Sequence, residues 1–176
     1  EKAVSKLLNK SNLKQNNLVG DIGAGTGKLT KVLLKYELEV FAVEPNDNMR
    51  NYGIANTKNQ NVHWSEGTGE KTNLEDKSVD AAFFGSSFNV VNQLDALIEV
   101  RRILKPDGYF ACMWNHRDIE DELQKNIEEV IHKILPNYNY GSRRENPTSI
   151  IDDSTFFNSV NFIEDKFKHT MTRETI

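Results

Sequence analysis

An acid and three alternating glycines, Asp21-Ile22-Gly23-Ala24-Gly25-Thr26-Gly27, lie where an apolar run (Leu18, Val19, Ile22) gives way to a helical pattern of Leu29, Val32, Leu33 and Tyr36. A buried strand that turns over glycines into a helix presents its backbone N–H groups to a ligand without side chains in the way, which suits a nucleotide-type pocket. The spacing narrows the ligand. A dinucleotide fingerprint needs G-x-G-x-x-G, whereas this run is G-x-G-x-G, and Gly27-Lys28 does not complete the G-x-x-x-x-G-K-[ST] of a phosphate loop. A carboxylate at Asp21 repels a pyrophosphate but attracts an ammonium or sulfonium. A second acid, Glu44, ends the next apolar run, Val40-Phe41-Ala42-Val43, 17 positions after Gly27. In Rossmann-like sheets an acid at that place accepts hydrogen bonds from both ribose hydroxyls.

These residues carry a resemblance. Asp21–Gly27 is similar to the glycine-rich first motif of class I S-adenosylmethionine-dependent methyltransferases, of the type that acts on small molecules. The run Val40–Met49, containing Glu44-Pro45 and Met49, resembles that family's second element, and Leu104-Lys105-Pro106-Asp107-Gly108 before an apolar strand is also familiar from it. The resemblance implies S-adenosylmethionine as cofactor and S-adenosylhomocysteine as product. It implies that Gly23, Ala24, Gly25 and Gly27 admit the methionyl end, that Asp21 organises the turn and attracts the ammonium, and that Glu44, beside Pro45 and Met49, holds the ribose. Gly67, Thr68 and Gly69 would border the adenine, with Thr68 in a place the family often gives to Asp. Gly85 and Ser86 fall close to where the methyl should point. Asn89 stands where some relatives carry a His, and no catalytic residue is identified. The resemblance covers about residues 3–171, its specific motifs lying within 18–118, and implies a sheet ordered 3-2-1-4-5-7-6. This chain has no room for the antiparallel seventh strand, so a truncated chain is expected.

Periodicity supplies the elements that position these groups. Helices are expected over 3–10, 28–36, 47–55, 93–104, 119–135 and 154–159, and strands over 18–22, 39–44, 61–65, 78–84, 109–114 and 162–171. Strands alternating with helices predict an α/β fold, a Rossmann-like doubly wound and mostly parallel sheet, with ligands beyond the carboxyl ends of the strands. A single domain over 1–176 carries a lid-like insertion around 119–160, in which Arg143 and Arg144 are candidates for an acidic substrate. Helix 93–104 is expected to bury Leu94, Leu97, Ile98 and Leu104, and helix 119–135 to carry a stripe of Leu123, Ile127, Val130, Ile131 and Ile134. Lys105–Gly108 reads as a chain-reversing turn. Glu70 reads as exposed or as a helix cap, Phe88 as a cover for the cofactor or a buried anchor, and His116 and Arg117 as residues at the functional edge.

Composition bounds the rest. The 176 residues, 38% of them hydrophobic, suffice for one domain with a core. The net charge of −4, without a run of five like charges, argues against a dedicated nucleic-acid binder. Phe83-Phe84-Gly85-Ser86-Ser87-Phe88-Asn89 also lacks the [DN]-P-P-[YF] pattern of amino-directed nucleic-acid methyltransferases. A small-molecule acceptor is therefore expected. The lone Cys112 reads as a core thiol in a reducing compartment, and the four His residues show no metal-ligand spacing. No apolar stretch reaches the ~18 residues of a membrane span, so a cytoplasmic protein without membrane contact is the expectation. Two rivals remain. An NAD-dependent Rossmann oxidoreductase would share the strand, glycine turn and ribose acid, and a non-catalytic module would keep the cofactor pocket alone.

Overall fold

Short apolar runs rich in Val, Phe and Ala form the sheet, and amphipathic stretches cover it. The computed structural model describes residues 2–139 and 145–168. The strands are β1 (Leu18–Ile22), β2 (Glu39–Val43), β3 (Val62–Ser65), β4 (Val79–Gly85) and β5 (Leu104–Met113). The helices are α1 (Lys2–Lys10), α2 (Lys28–Leu34), α3 (Asp47–Asn56), α4 (Gln93–Ile103), α5 (Glu122–Ile134) and α6 (Thr148–Asp153). All strand pairings are parallel, in the order β3-β2-β1-β4-β5. The chain order thus reverses at β1 and β4, so the strand ends there open a crevice.

Two clusters form the core, one on each face of the sheet. Val19, Val40, Ala81 and Phe83 pack with Val4 and Leu8 of α1 and Leu33 of α2. Ile22, Val43, Ala82 and Phe84 pack with Leu97, Val100 and Ile103 of α4 and Ile151 of α6. Side-chain caps set three helix starts. Asn46 accepts from the Met49 N–H, Asn92 from that of Asp95, and Asp121 from those of Leu123 and Gln124. The Asp121 cap explains why α5 begins at Glu122 and not at 119.

Four expectations need correction. The Lys105–Gly108 run does not precede the fifth strand but lies inside it. Val79 pairs with Leu104 and Ala81 with Tyr109, so the intervening residues bulge out, with Asp107 at φ 61° and Lys105 bonded to Asp80 at 2.9 Å. Of the face expected on α4, Leu97 and Leu104 are buried but Leu94 and Ile98 are about half exposed, and Ala96, Val100 and Ile103 join Leu97 against the sheet. Ser154 closes a helix where it was expected to open one. Its N–H bonds to the Ile150 carbonyl and its hydroxyl to that of Ile151, and Thr155 at φ 57° ends α6. Over 162–168 no sixth strand forms; Phe162 and Phe167 are exposed, since an apolar alternation makes a strand only where a neighbour offers a ladder. Arg143, Arg144 and the end of that expected strand lie outside the described residues. No buried residue is found on α5, although its apolar stripe is as expected.

The loop between β3 and β4 is fastened to α4 by one buried acid. Glu99 Oε1 accepts from the Thr72 N–H (2.7 Å) and hydroxyl (2.6 Å), and Arg102 bonds both carboxylate oxygens while also reaching Asp76 and the Leu74 carbonyl. Burial alone would raise the Glu99 pKa, but the Arg102 and Thr72 hydrogen bonds outweigh it and hold the carboxyl below its usual 4.5. Glu99→Ala should therefore cost about 2 kcal/mol in urea unfolding at pH 7 by orphaning Thr72 and Arg102. Because the folded pKa is the lower one, the gap between wild type and variant should be full above pH 4.5 and shrink as pH falls further.

Candidate functional site

The sheet's parity puts Asp21 two residues after Val19, on the face covered by α1 and α2, where it is fully buried. Its Oδ2 accepts from the Thr30 hydroxyl of α2 at 2.6 Å, and Oδ1 has no partner among the described residues. Desolvation raises its pKa from 3.8 to about 6; the Thr30 bonds oppose the rise and the nearby Glu44 charge adds to it. A buried acid with one bare oxygen is ready to receive a cation or a donor.

After Ile22 the chain turns through Gly23, Gly25 and Gly27 at φ 69°, 59° and 81°. Only glycine enters this left-handed region without strain. The N–H groups of the turn are mostly spoken for: Gly23 and Ala24 donate to the Val43 carbonyl, Gly25 to Glu44 Oε2 at 2.8 Å, and Gly27 to the Ala24 carbonyl. The turn is therefore not the row of free amides that a pyrophosphate needs. Its glycines instead make room. A Cβ on Gly23 would sit 2.6 Å from Ser87 Cβ, one on Gly25 3.2 Å from Met49 Cε, and one on Gly27 3.2 Å from the Trp64 ring.

Glu44, 6% exposed, follows the end of β2. Its Oε2 takes the Gly25 N–H and its Oε1 the Asn46 N–H at 2.9 Å, leaving each oxygen a further lone pair. Arg50 holds this corner by donating to the Glu44 carbonyl at 2.7 Å and pairing with Asp47. At the end of β4, Ser86 at φ 63° donates its N–H to the Met113 carbonyl, and the Ser87 hydroxyl donates to the Ile22 carbonyl. The loops after β1, β2 and β4 are thus tied to one another.

One cavity of about 1830 Å³ at this edge brings together Asp21, Gly23, Ala24, Gly25, Glu44, Pro45, Met49, Thr68, Gly69, Gly85 and Ser86. Gly27 and Gly67 are not on its wall. Gly67 is buried, where a Cβ would meet the Thr72 carbonyl at 2.6 Å. Thr68 is exposed and its hydroxyl accepts the Lys71 N–H, while Glu70 Oε1 accepts the Asn92 N–H at the start of α4, the capping role expected of it. His116 lines the cavity, and Asp118 pairs with Lys166.

Farther along, the cavity is aromatic. Phe88 is an anchor: it is wholly buried, 5.4 Å from both Phe84 and Phe110, and Phe110 stacks on Phe157. Asn89 is buried and donates to the Glu145 carbonyl at 3.2 Å. Burial pushes the Cys112 thiol up to about 12, so it is no nucleophile. Sequence reasoning missed Ser87, Trp64 and Trp114, whose buried indole N–H finds no acceptor among the described residues. The signal for Trp64 was its place at the end of the third strand. Among the described residues there is no cluster able to hold a metal, and no helix long and apolar enough to cross a membrane.

Comparison with known proteins agrees with this geometry. The profile of the methyltransferase domain family matches residues 20–112. An uncharacterized methyltransferase of Mycobacterium tuberculosis is 37% identical over 111 residues, which are 63% of this chain and 45% of that one. The chain spans about half the length of the curated relatives it matches. Among solved structures, a putative methyltransferase from an antibiotic biosynthesis pathway of Anabaena variabilis superposes with a TM-score of 0.66 at 26% identity, over 88% of this chain and 60% of that one. A SAM-dependent methyltransferase of Aquifex aeolicus superposes with a TM-score of 0.57 at 26% identity, over 76% and 77%. With the matched segment covering the glycine turn, both acids and all five strands as far as Cys112, this chain belongs to the methyltransferase domain family and has its class I, Rossmann-like fold.

Proposed function

We propose that the chain binds S-adenosylmethionine in the crevice over β1 and β2 and transfers its methyl group to a small, largely apolar molecule. The observation that carries this reading is the meeting, at one sheet edge, of a fully buried acid with a bare oxygen and a second acid with spare acceptor capacity. That donor and acceptor set fits an ammonium and a pair of ribose hydroxyls. It does not fit a pyrophosphate, because most of the turn's amides are occupied and both side chains are negative, which argues against the NAD-dependent rival.

In this reading Asp21 attracts the ammonium, Gly23, Ala24 and Gly25 let the backbone approach the methionyl end, and Gly27 shapes the turn into α2. Glu44 accepts from the ribose, with Pro45 and Met49 beside it. Thr68 and Gly69 border the adenine, and Gly85 and Ser86 stand by the transferring methyl. Bound there, S-adenosylmethionine supplies a methyl made electrophilic by its sulfonium, and S-adenosylhomocysteine remains. The protein's work is then to hold a nucleophile in line and keep water out. The cavity exceeds the ~300–1,000 Å³ usual for one ligand, and its Phe110, Phe157 and Trp114 wall favours an apolar acceptor over a charged polymer. The Anabaena protein's stated place in antibiotic biosynthesis points the same way.

Calorimetric titration of the purified protein with S-adenosylmethionine, S-adenosylhomocysteine and NADH should show micromolar binding of the first two only; binding of NADH alone would sink the reading. Glu44→Ala should weaken S-adenosylhomocysteine binding by roughly 10- to 100-fold, the range for losing hydrogen bonds to a charged acceptor, with Glu44→Gln falling between. An affinity unchanged in both variants would remove the assigned role.

Asp21 makes two pH predictions with its folded pKa of about 6. If the ammonium needs the ionised carboxylate, affinity at pH 5 should be about tenfold weaker than at pH 7.5, and Asp21→Asn should flatten that dependence. Without ligand, the folded state binds the extra proton between pH 3.8 and about 6. The Asp21 contribution to stability should therefore fall as pH rises through that window, by about 3 kcal/mol in total. Urea midpoints of wild type and Asp21→Asn measured across it would read the difference.

A further inference from the structure

The three glycines of the turn face three different side chains, and one of these is rigid. Met49 is flexible and Ser87 small, but Trp64 brings an indole from β3, in register with Ala42 of β2 and Asp21 of β1. Its benzo edge is bounded by two glycines at once. A Cβ on Gly27 would lie 3.2 and 3.3 Å from two ring carbons, and one on Gly53 of α3 would lie 2.2, 2.4 and 2.8 Å from three. The ring's other end is tied down, as Nε1 donates to Thr57 Oγ1 at 2.9 Å and that hydroxyl donates to the Gly53 carbonyl at 2.8 Å. Thr57 is itself buried. The indole can therefore neither slide toward α3 nor rotate away without breaking a buried bond.

Gly53 makes the same point from the helix. A glycine well inside α3 weakens the helix relative to alanine, and no positive φ requires it there. What requires it is the ring. The same Cβ on Gly27 would lie 3.7 Å from Thr30 Oγ1, the group bonded to Asp21. Trp64 and the Asp21–Thr30 bond thus both adjoin the third glycine.

We propose that Trp64 is a positioning residue for the cofactor turn. Keyed between Gly27 and Gly53, its indole sets the height at which the turn enters α2, and so the distance between the backbone and the methionyl end of the cofactor. The proposal rests on the cofactor reading above. Shortening the ring lets the turn sink, while a methyl on Gly53 drives the ring into Gly27.

The test is S-adenosylhomocysteine titration, by calorimetry at 25 °C, of wild type, Trp64→Phe, Trp64→Leu and Gly53→Ala, each checked for folding by circular dichroism and for melting temperature. Trp64→Leu and Gly53→Ala should each raise the Kd about tenfold, with Trp64→Phe between them and wild type. Gly53→Ala is the decisive variant, because alanine is the better helix former, so a helix effect alone would not weaken binding. A merely structural Trp64 would lower the melting temperature and leave the Kd of the folded protein within twofold of wild type, and that result overturns the proposal. If Trp64→Leu does not fold, Gly53→Ala and Trp64→Phe decide it by the same criterion. In Trp114→Phe, Trp64 is the remaining indole, and its emission should change on saturation with S-adenosylhomocysteine; unaltered emission counts against a coupling of its indole to the occupied turn. Wild type that binds no S-adenosylhomocysteine would instead overturn the cofactor reading itself.

Discussion

The left-handed turn after β1 is the constraint on which the site depends. Three glycines at positive φ carry the chain from strand to helix, and each leaves a space the size of a Cβ for a neighbour. Those neighbours come from separate parts of the chain: Ser87 from the loop after β4, Met49 from α3 and Trp64 from β3. The turn is therefore a junction as well as a wall of the cavity. Glu44 adds a fourth tie by accepting the Gly25 N–H, and Ser87 a fifth by donating to the Ile22 carbonyl. A side chain at any of the three glycines would combine backbone strain with a displaced neighbour, so packing alone dictates the motif's spacing.

Asp21 supplies the other half of the logic. Burying a carboxylate without a counter-charge is unfavourable, and a single Thr30 hydroxyl does not offset it. The group responds with a raised pKa, the expected behaviour of an acid deprived of water. Such a cost, at a strand end in the crevice, is the kind of perturbation that gathers at functional sites. Glu99 is the contrasting case. It is also buried, but Arg102 and Thr72 satisfy it, its pKa is lowered, and it serves the scaffold by holding the loop before β4 against α4.

The cavity has two characters along its length. Near β1 and β2 it is acidic and backbone-lined, and beyond β4 it is walled by aromatic rings. The aromatic part is completed by the segment after α6, where Phe156, Phe157 and Val160 pack on the core. Of that segment's ion pairs, Lys166–Asp118 joins exposed groups and adds little, and Lys6–Asp165 joins an exposed lysine to a partly buried acid. The segment's attachment is thus mainly apolar.

The sequence by itself determined the strand, turn and helix units, the two acids and the glycine turn between them, because period and glycine spacing are local properties that a chain displays wherever it folds. The starts of α3 at Asp47 and of α4 at Gln93 were of the same kind, since a helix start is set within a few residues. Tertiary structure decided what local pattern does not carry. Periodicity offered Leu94 and Ile98 to the core, but the orientation of α4 on the sheet left them exposed. Alternation offered a strand over 162–168, but a strand exists only with a ladder partner. The lysine-proline-aspartate-glycine run turned, but as a bulge within β5, because Asp80 and the register of β4 held both sides of it. Trp64 fell within the expected third strand with no role of its own. Its place between Gly27 and Gly53 follows from β3 lying beside β2, a contact between residues tens of positions apart that only the folded chain creates.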